Sequence, residues 1–254
     1  MMPQNAYECI NWNIAPADLQ LTREAVHIWL ARVDRELMAI GNILPVLADD
    51  EQAKAARFYF ERDRRRFIAA HSILRILLGR YLDCDPRSIR FRANSCGKPA
   101  LDMPQKEHKL TFNLSHSHEL ALFAFTYDRE IGVDVEYMRP DVEYEQVARH
   151  SFSSNEQEAL RGLPGSEKPQ GFFNGWTRKE AYIKARGLGL YLPLDVFDVS
   201  LKPGDAAALL ASREKEQEAA RWTMRALAPG QGYAGALCVE GDRWQLECYG
   251  WQLA

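Results

Sequence analysis

Hydrophobic positions along this chain repeat with two different periods, and the changes of period mark out its elements. Over residues 25–33 (AVHIWLARV) apolar side chains alternate, with Val26, Ile28 and Leu30 on one face, which predicts a strand. His27 lies on the other face beside Trp29 and reads as a partly exposed structural histidine. Asp49 and Asp50 then lead a helix over 51–60, with acids at its positive end. A longer helix is predicted over about 63–81, where Phe67, Ala70, His71, Leu74, Leu77 and Leu78 recur at helical spacing. Asp83 and Pro86 close it. A short strand at 89–92 runs into the turn 94–99, which carries Lys98 at its tip. Strands at 110–114 and 120–127 follow, joined by the turn Ser115-His116-Ser117-His118-Glu119.

The second half repeats this plan. Ser153 and Glu156 stand in capping-box register at the start of a short helix. A loop over 162–171 leads to a long helix at 171–186, which Gly187 and Gly189 end. Strands are predicted at 196–201, 221–227, 233–239 and 243–249, with 205–220 helical or wandering over the surface. Residues 1–24 form an irregular lead-in. The Glu-Gln pairs at 51–52 and 156–157 lie 105 positions apart, a weak internal repeat. It predicts an α+β fold of two similar subdomains, residues 1–131 and 132–254, packed closely with the active site at their interface.

Polar residues break the pattern at two places. On the helix at 171–186, Phe172, Phe173, Trp176 and Ile183 share a stripe, and Glu180 falls inside it. A carboxylate on an apolar face needs a partner or a cation. Lys184, one turn on, would add only about 0.2–0.5 kcal/mol as a surface pair. The segment 131–137 alternates, with Val133, Val135 and Tyr137 on one face and Asp134 and Glu136 on the other. Side chains two apart on a strand sit roughly 6.6 Å from each other and point the same way. Two strand acids and one helix acid make a plausible site for a hard cation such as Mg²⁺. The alternative is an exposed strand face and a helix salt bridge.

Composition adds limits. The chain has 254 residues, 46% apolar and 26% charged, with net charge −3, which gives no general attraction to nucleic acid or membrane. No apolar run reaches spanning length, and the start lacks a signal-peptide pattern. Five scattered cysteines (9, 84, 96, 238 and 248) predict reduced thiols and a cytoplasmic protein. His116 and His118 lack a third ligand for zinc. Lys54, Arg57, Arg62, Arg64, Arg65 and Arg66 form a basic cluster, read either as a solvated face or as a phosphate patch.

Four blocks in order, Gly97-Lys98-Pro99, Phe112-Asn113-Leu114-Ser115-His116-Ser117, Gly132-Val133-Asp134-Val135-Glu136 and Trp176-Thr177-Arg178-Lys179-Glu180-Ala181-Tyr182-Ile183-Lys184, resemble the 4′-phosphopantetheinyl transferases of the long, monomeric surfactin type. The resemblance covers most of the chain. It implies transfer of the phosphopantetheine arm of coenzyme A to a serine of an apo acyl or peptidyl carrier protein, with release of 3′,5′-ADP. It implies Asp134, Glu136 and Glu180 as Mg²⁺ ligands. It implies Lys54, Lys98, Pro99, Ser115, His116 and Lys184 around coenzyme A. Some family members carry a further lysine where this chain has Glu51, so Arg66 or its neighbours are expected to substitute there. Glu180 is the expected base, with Lys184 and His116 neutralising charge on the phosphates. An acidic carrier is expected to meet arginines near the mouth of the site. Two other readings compete: a different Mg²⁺-dependent phosphoryl or nucleotidyl transferase, and a non-enzymatic module that holds RNA or an acidic protein through residues 54–66.

Overall fold

The computed structural model describes residues 11–34, 43–102 and 108–252. Its first half carries β1 (Ala25–Arg32), α1 (Asp49–Ala55), α2 (Glu61–Leu82), β2 (Phe91–Ala93), β3 (Pro99–Leu101), β4 (Leu110–Ser117) and β5 (Leu120–Tyr127). The rest carries β6 (Ile131–Tyr137), α3 (Tyr144–Ser151), α4 (Ser154–Arg161), α5 (Lys168–Arg186), β7 (Phe197–Val199), β8 (Leu209–Ser212), β9 (Trp222–Leu227), β10 (Tyr233–Glu240) and β11 (Gln245–Gly250). The fold is α+β, as the alternating periods predict.

Two sheets stack face to face. One has the order β11-β1-β5-β4, the other β6-β10-β9. Val26, Ile28, Leu122 and Ala124 of the first meet Val133, Val135, Leu237 and Val239 of the second. α2 covers the outer face of the first sheet, where Leu74, Leu77 and Leu78 pack on Trp29, Phe112 and Phe123. α5 covers the outer face of the second, where Tyr182 and Ala185 pack near Met224, Ala236 and Cys238. The layers are therefore helix, sheet, sheet, helix. Within each sheet the shared part has one plan: β1-β5-β4 and β6-β10-β9 are both antiparallel, with matching chain order.

Several expectations need correction. The strand predicted at 243–249 forms as β11, but it leaves the sheet of β9 and β10 and pairs in parallel with β1. Because β1 has β5 on its other side and a layer on each face, His27 and Trp29 are fully buried rather than partly exposed. Burial pushes the His27 imidazole down to about 4, against the pull of Glu247. The first helix stops at Ala55, leaving Tyr59 and Phe60 exposed. α5 is buried on most sides, Arg178 and Lys179 included, and Trp176, Glu180 and Lys184, one turn apart, form its half-buried row. Residues 205–220 hold β8 and a short 3₁₀ turn. Cys84, Cys96 and Cys238 are free thiols, whereas Cys248 is disulfide-bonded, so the reduced state does not extend to it. Cys9 and residues 1–10 of the lead-in lie outside the described residues. No helix among the described residues is long and apolar enough to cross a membrane.

Candidate active site

Gly132 sets the geometry. A Cβ there would lie 2.1 Å from the Ala181 carbonyl oxygen and 2.3 Å from the Ala185 nitrogen. Only a glycine lets β6 and α5 approach backbone to backbone. That contact carries Glu180 and Lys184, on the helix, to the acids two and four residues beyond Gly132 on the strand. The helix then ends where Gly187 takes a left-handed φ of 63° as its C-cap.

Asp134, Glu136 and Glu180 lie near enough to feel one another's charge. Asp134 is 3% exposed. Its Oδ1 accepts from Lys184 Nζ at 2.6 Å and from Ser115 Oγ at 2.8 Å, and Lys184 also donates to Ser115 Oγ at 2.9 Å. Its Oδ2 is buried and accepts no hydrogen bond. Glu136 accepts from Ser117 Oγ at 2.8 Å. Burial, then the charge of Asp134, holds the Glu136 carboxyl above the ordinary glutamate value, with Glu180 adding to the rise. Glu180 is raised by the same two causes, and Lys184 opposes them. Repulsion among acids in a partly desolvated place is the situation that a cation relieves. No three carboxylate, imidazole or thiol groups among the described residues form a ready-made metal cage. The ammonium of Lys184 rests on Asp134 instead. The orphaned Oδ2, the all-oxygen donor set and the mutual repulsion fit a hard divalent cation.

Ser115, His116 and Ser117 were expected in a turn but continue β4, and the turn shrinks to His118 and Glu119, with His118 at φ 54°. The serines face β6 because their hydroxyls have partners there. His116 is exposed by its overall surface, yet it is crowded enough by protein atoms for desolvation to act on it. That crowding, followed by the charges of His71, Lys184 and Arg66, holds its imidazole below the ordinary value.

A cavity of about 680 Å³ opens beside the acids, between α1, α2, the β2–β3 hairpin, β4 and the end of α5. Lys54, His71, Lys98, Pro99, Glu180 and Lys184 line it, as do the apolar Phe67, Leu74, Phe91 and Phe112. Lys98 does not present a free charge. Its Nζ donates to Glu130 Oε2 at 2.7 Å and to the Ala185 carbonyl at 2.8 Å, while Asn94 donates to the Gly187 carbonyl at 2.7 Å. The hairpin thereby clasps the last carbonyls of α5, and burial lowers the Lys98 pKa despite Glu130. Arg66 does not line the cavity; it points to His118 at 3.5 Å and to Asp63 at 3.8 Å.

His71 is the residue that the helical pattern hid, because it falls within an apolar stripe. Its Nδ1 meets Glu51 Oε1 at 3.0 Å, and its ring lies against that of Phe67, tilted by 30° with centroids 4.0 Å apart. Glu51 also accepts from the buried Arg75. Burial alone would raise the Glu51 carboxyl, but hydrogen bonds from His71 and Arg75 outweigh it and hold the group low. The acid that stands where a lysine was expected therefore orients an imidazole at the cavity wall. A histidine three positions ahead of a leucine, with an acid twenty residues earlier, carries no periodic signal that would reveal this.

Known proteins share the sequence that builds this site. Residues 130–238 match the model of the 4′-phosphopantetheinyl transferase superfamily, and residues 35–127 match that of the 4′-phosphopantetheinyl transferase N-terminal domain. The 4′-phosphopantetheinyl transferase HetI of Nostoc sp. is 40% identical over 234 residues, covering 92% of this chain and 95% of its own length. The 4′-phosphopantetheinyl transferase Sfp of Bacillus subtilis is 33% identical over 172 residues, 66% of this chain and 74% of that protein. A holo-(acyl-carrier-protein) synthase of Bacillus anthracis, solved with coenzyme A (3′,5′-ADP), aligns with 41% of this chain and 95% of its own at a TM-score of 0.33 and 19% identity. With relatedness that runs through nearly the whole sequence, the chain belongs to the 4′-phosphopantetheinyl transferases, in their long, surfactin-type branch.

Proposed function

We propose that this enzyme moves the phosphopantetheine arm of coenzyme A onto a serine of an apo carrier protein, with a divalent cation held by Asp134, Glu136 and Glu180. The observation that carries the reading is that Glu180 and Lys184 line a cavity which Lys54 and His71 also line, while Asp134, bonded to Lys184, acts electrostatically on both Glu136 and Glu180. Lys54 and His71 would take the distal phosphate of coenzyme A, Phe67 and Phe91 its apolar surfaces, and Lys184 and His116 the pyrophosphate. A Mg²⁺ ion bound by the three acids would neutralise charge on the pyrophosphate oxygens.

In the transfer, the carrier serine oxygen bonds to the phosphorus that bears the pantetheine arm. The bond from that phosphorus to the bridging oxygen breaks, and 3′,5′-ADP leaves with the electron pair. The serine proton passes to the Glu180 carboxylate, whose raised pKa suits a base that has to hold a proton briefly. Lys184 Nζ, already aimed across Ser115 and Asp134, donates to the phosphate oxygens as charge shifts onto the leaving group. The negative pyrophosphate beside His116 would offset the burial and the neighbouring cations that depress its pKa, and its ring N–H then serves as a further donor.

The matching strand orders support two α+β units, residues 1–131 and 132–254, related by a pseudo-twofold, with the site at their seam and one chain supplying both walls. β11 crosses back to β1 and ties the second unit to the first.

The test is to incubate the protein with coenzyme A, Mg²⁺ and an apo carrier, then weigh the carrier. A gain of one phosphopantetheine, abolished by chelator, is expected. An unchanged carrier mass, or a gain that survives complete chelation, would overturn the reading or its metal. Mg²⁺ should also raise the melting temperature, because it relieves the repulsion among the acids.

A further inference from the structure

β4 ends one sheet and β6 begins the other, and side chains rather than backbone join them. Asn113 Oδ1 accepts the Val133 N–H at 2.9 Å, Ser115 Oγ accepts the Val135 N–H at 3.4 Å, and Ser117 Oγ accepts the Tyr137 N–H at 3.1 Å. Residues 113, 115 and 117 alternate along β4, so all three project to one side. The N–H groups of residues 133, 135 and 137 are those that the free edge of β6 would otherwise offer to another strand. An internal strand edge has to be satisfied somehow. Here three short polar side chains act as the missing strand.

Two of these rungs have a second partner. The proton of Ser115 goes to Asp134 and that of Ser117 goes to Glu136, each at 2.8 Å. A hydroxyl has a single proton to donate. In both rungs it goes to the carboxylate of the residue just before the N–H that the same oxygen accepts. The backbone N–H occupies one lone pair and so turns the proton toward the acid. Asp134 has Lys184 as well. Among the described residues, Ser117 is the only hydrogen-bond donor that meets the Glu136 carboxylate.

We propose that Ser117 is a positioning residue, whose hydroxyl, gripped by the Tyr137 N–H, fixes the Glu136 carboxylate in register with Asp134 so that the acidic cluster is spaced for one divalent cation. This rests on the reading that the acids take such a cation. Removing the hydroxyl frees the Glu136 rotamer and unpairs the Tyr137 N–H, while the cavity that takes coenzyme A is left as it was, since Ser117 is not among its walls.

The experiment compares wild type, Ser117→Ala and Ser117→Thr as full-length proteins. Melting temperature is titrated against Mg²⁺ alone, and kcat and KM for coenzyme A are measured separately. Loss of a group that orients a metal ligand typically weakens metal binding about 10- to 100-fold. Ser117→Ala should therefore raise the half-saturating Mg²⁺ concentration at least about tenfold and lower kcat at fixed Mg²⁺, with KM for coenzyme A unchanged. Threonine, which keeps the hydroxyl, should return both toward wild type. A purely structural serine would lower the melting temperature without moving the Mg²⁺ midpoint, and that result would sink the proposal. So would a threonine variant of wild-type stability that binds Mg²⁺ as poorly as alanine. Should the alanine variant fail to fold, Ser117→Cys, nearly isosteric but a weak donor, takes its place under the same criteria. A wild-type protein with no response to Mg²⁺ would overturn the metal reading itself, whatever Ser117 does.

Discussion

The two halves of the chain bury the same device and use it differently. In the first, Glu51 accepts the Ala48 N–H at 3.1 Å and pairs with the buried Arg75. In the second, Glu156 accepts the Ser153 N–H at 2.8 Å and pairs with Lys179 at 2.7 Å. Arg75 goes on to the carbonyls of Pro86 and Ile89, and Lys179 to those of Leu194 and Phe197. Each cation also lies over a strand phenylalanine, Phe91 or Phe197. Even the neighbouring glutamines match: Gln52 donates to the Leu47 carbonyl and Gln157 to that of Phe152.

What differs is the remaining carboxylate oxygen. Glu51 Oε1 takes the imidazole of His71, which faces the cavity, whereas Glu156 Oε1 takes the backbone N–H of Val199 at 2.8 Å. Four residues before Arg75 stands His71. Four before Lys179 stands Gly175, where an added Cβ would come within 2.9 Å of the Phe152 ring. One copy of the device is opened to a cavity by a polar side chain, and the other is sealed by an aromatic one. A buried ion pair by itself therefore says nothing of function in this fold; the group that couples it to a cavity does.

The largest effect should come from the seam rather than from either pair. Glu180→Gln is expected to fold as well as wild type, because burial already disfavours its charge. It should lower single-turnover transfer by about 10²- to 10⁴-fold, the usual contribution of a positioned base. Glu156→Gln, on the sealed side, should leave the rate per folded molecule unaltered. Substantial transfer by Glu180→Gln would remove it from the role of base.

The next comparison separates stability from binding. Lys179→Met strands a buried carboxylate, and denaturant unfolding should register a loss of about 3–5 kcal/mol with KM for coenzyme A unchanged. His71→Ala leaves the Glu51–Arg75 pair in place, so stability should fall by less than about 1 kcal/mol. Its KM for coenzyme A should rise roughly tenfold, equivalent to about 1.4 kcal/mol. If His71→Ala destabilised the protein as much as Lys179→Met and left KM alone, the contrast between open and sealed copies would be wrong.

Features of this molecule divide into those that local periodicity reveals and those that depend on what packs opposite. The alternation at 131–137 and the misplaced Glu180 are legible in the sequence, because strand and helix periods are local and a carboxylate on the wrong face violates them. The capping box at Ser153 and the glycine stop at 187 are legible for the same reason. The crossing of β11 to β1 is not, since an alternating strand names no partner. Nor is the course of Ser115 and Ser117: hydroxyls that face another strand's edge resemble a turn when only composition is seen. His71 is hidden by its apolar neighbours, and Lys98 reads as a loop charge because its two acceptors, Glu130 and Ala185, come from distant segments. In each of these cases the missing information is the identity of the facing element.

The smallest effect is the most discriminating, since the two glutamates should respond to pH with opposite sign. His71 and Arg75 hold the Glu51 pKa down against its burial, so the folded protein binds this proton less readily than the unfolded chain. Its stabilisation is present above the ordinary glutamate pKa and is lost as pH falls through the depressed value. Burial raises Glu156 despite Lys179, so between the ordinary value and the raised one the folded state holds more protons, and stability falls as pH rises. Urea unfolding should therefore give two opposite slopes in adjoining windows, the Glu51 slope below the ordinary glutamate pKa and the Glu156 slope above it. The stability of wild type minus that of Glu51→Gln should grow with pH, and that of wild type minus Glu156→Gln should shrink. Parallel slopes would mean that the two acids sit in equivalent electrostatic surroundings, and the sealed copy would then differ from the open one in shape alone.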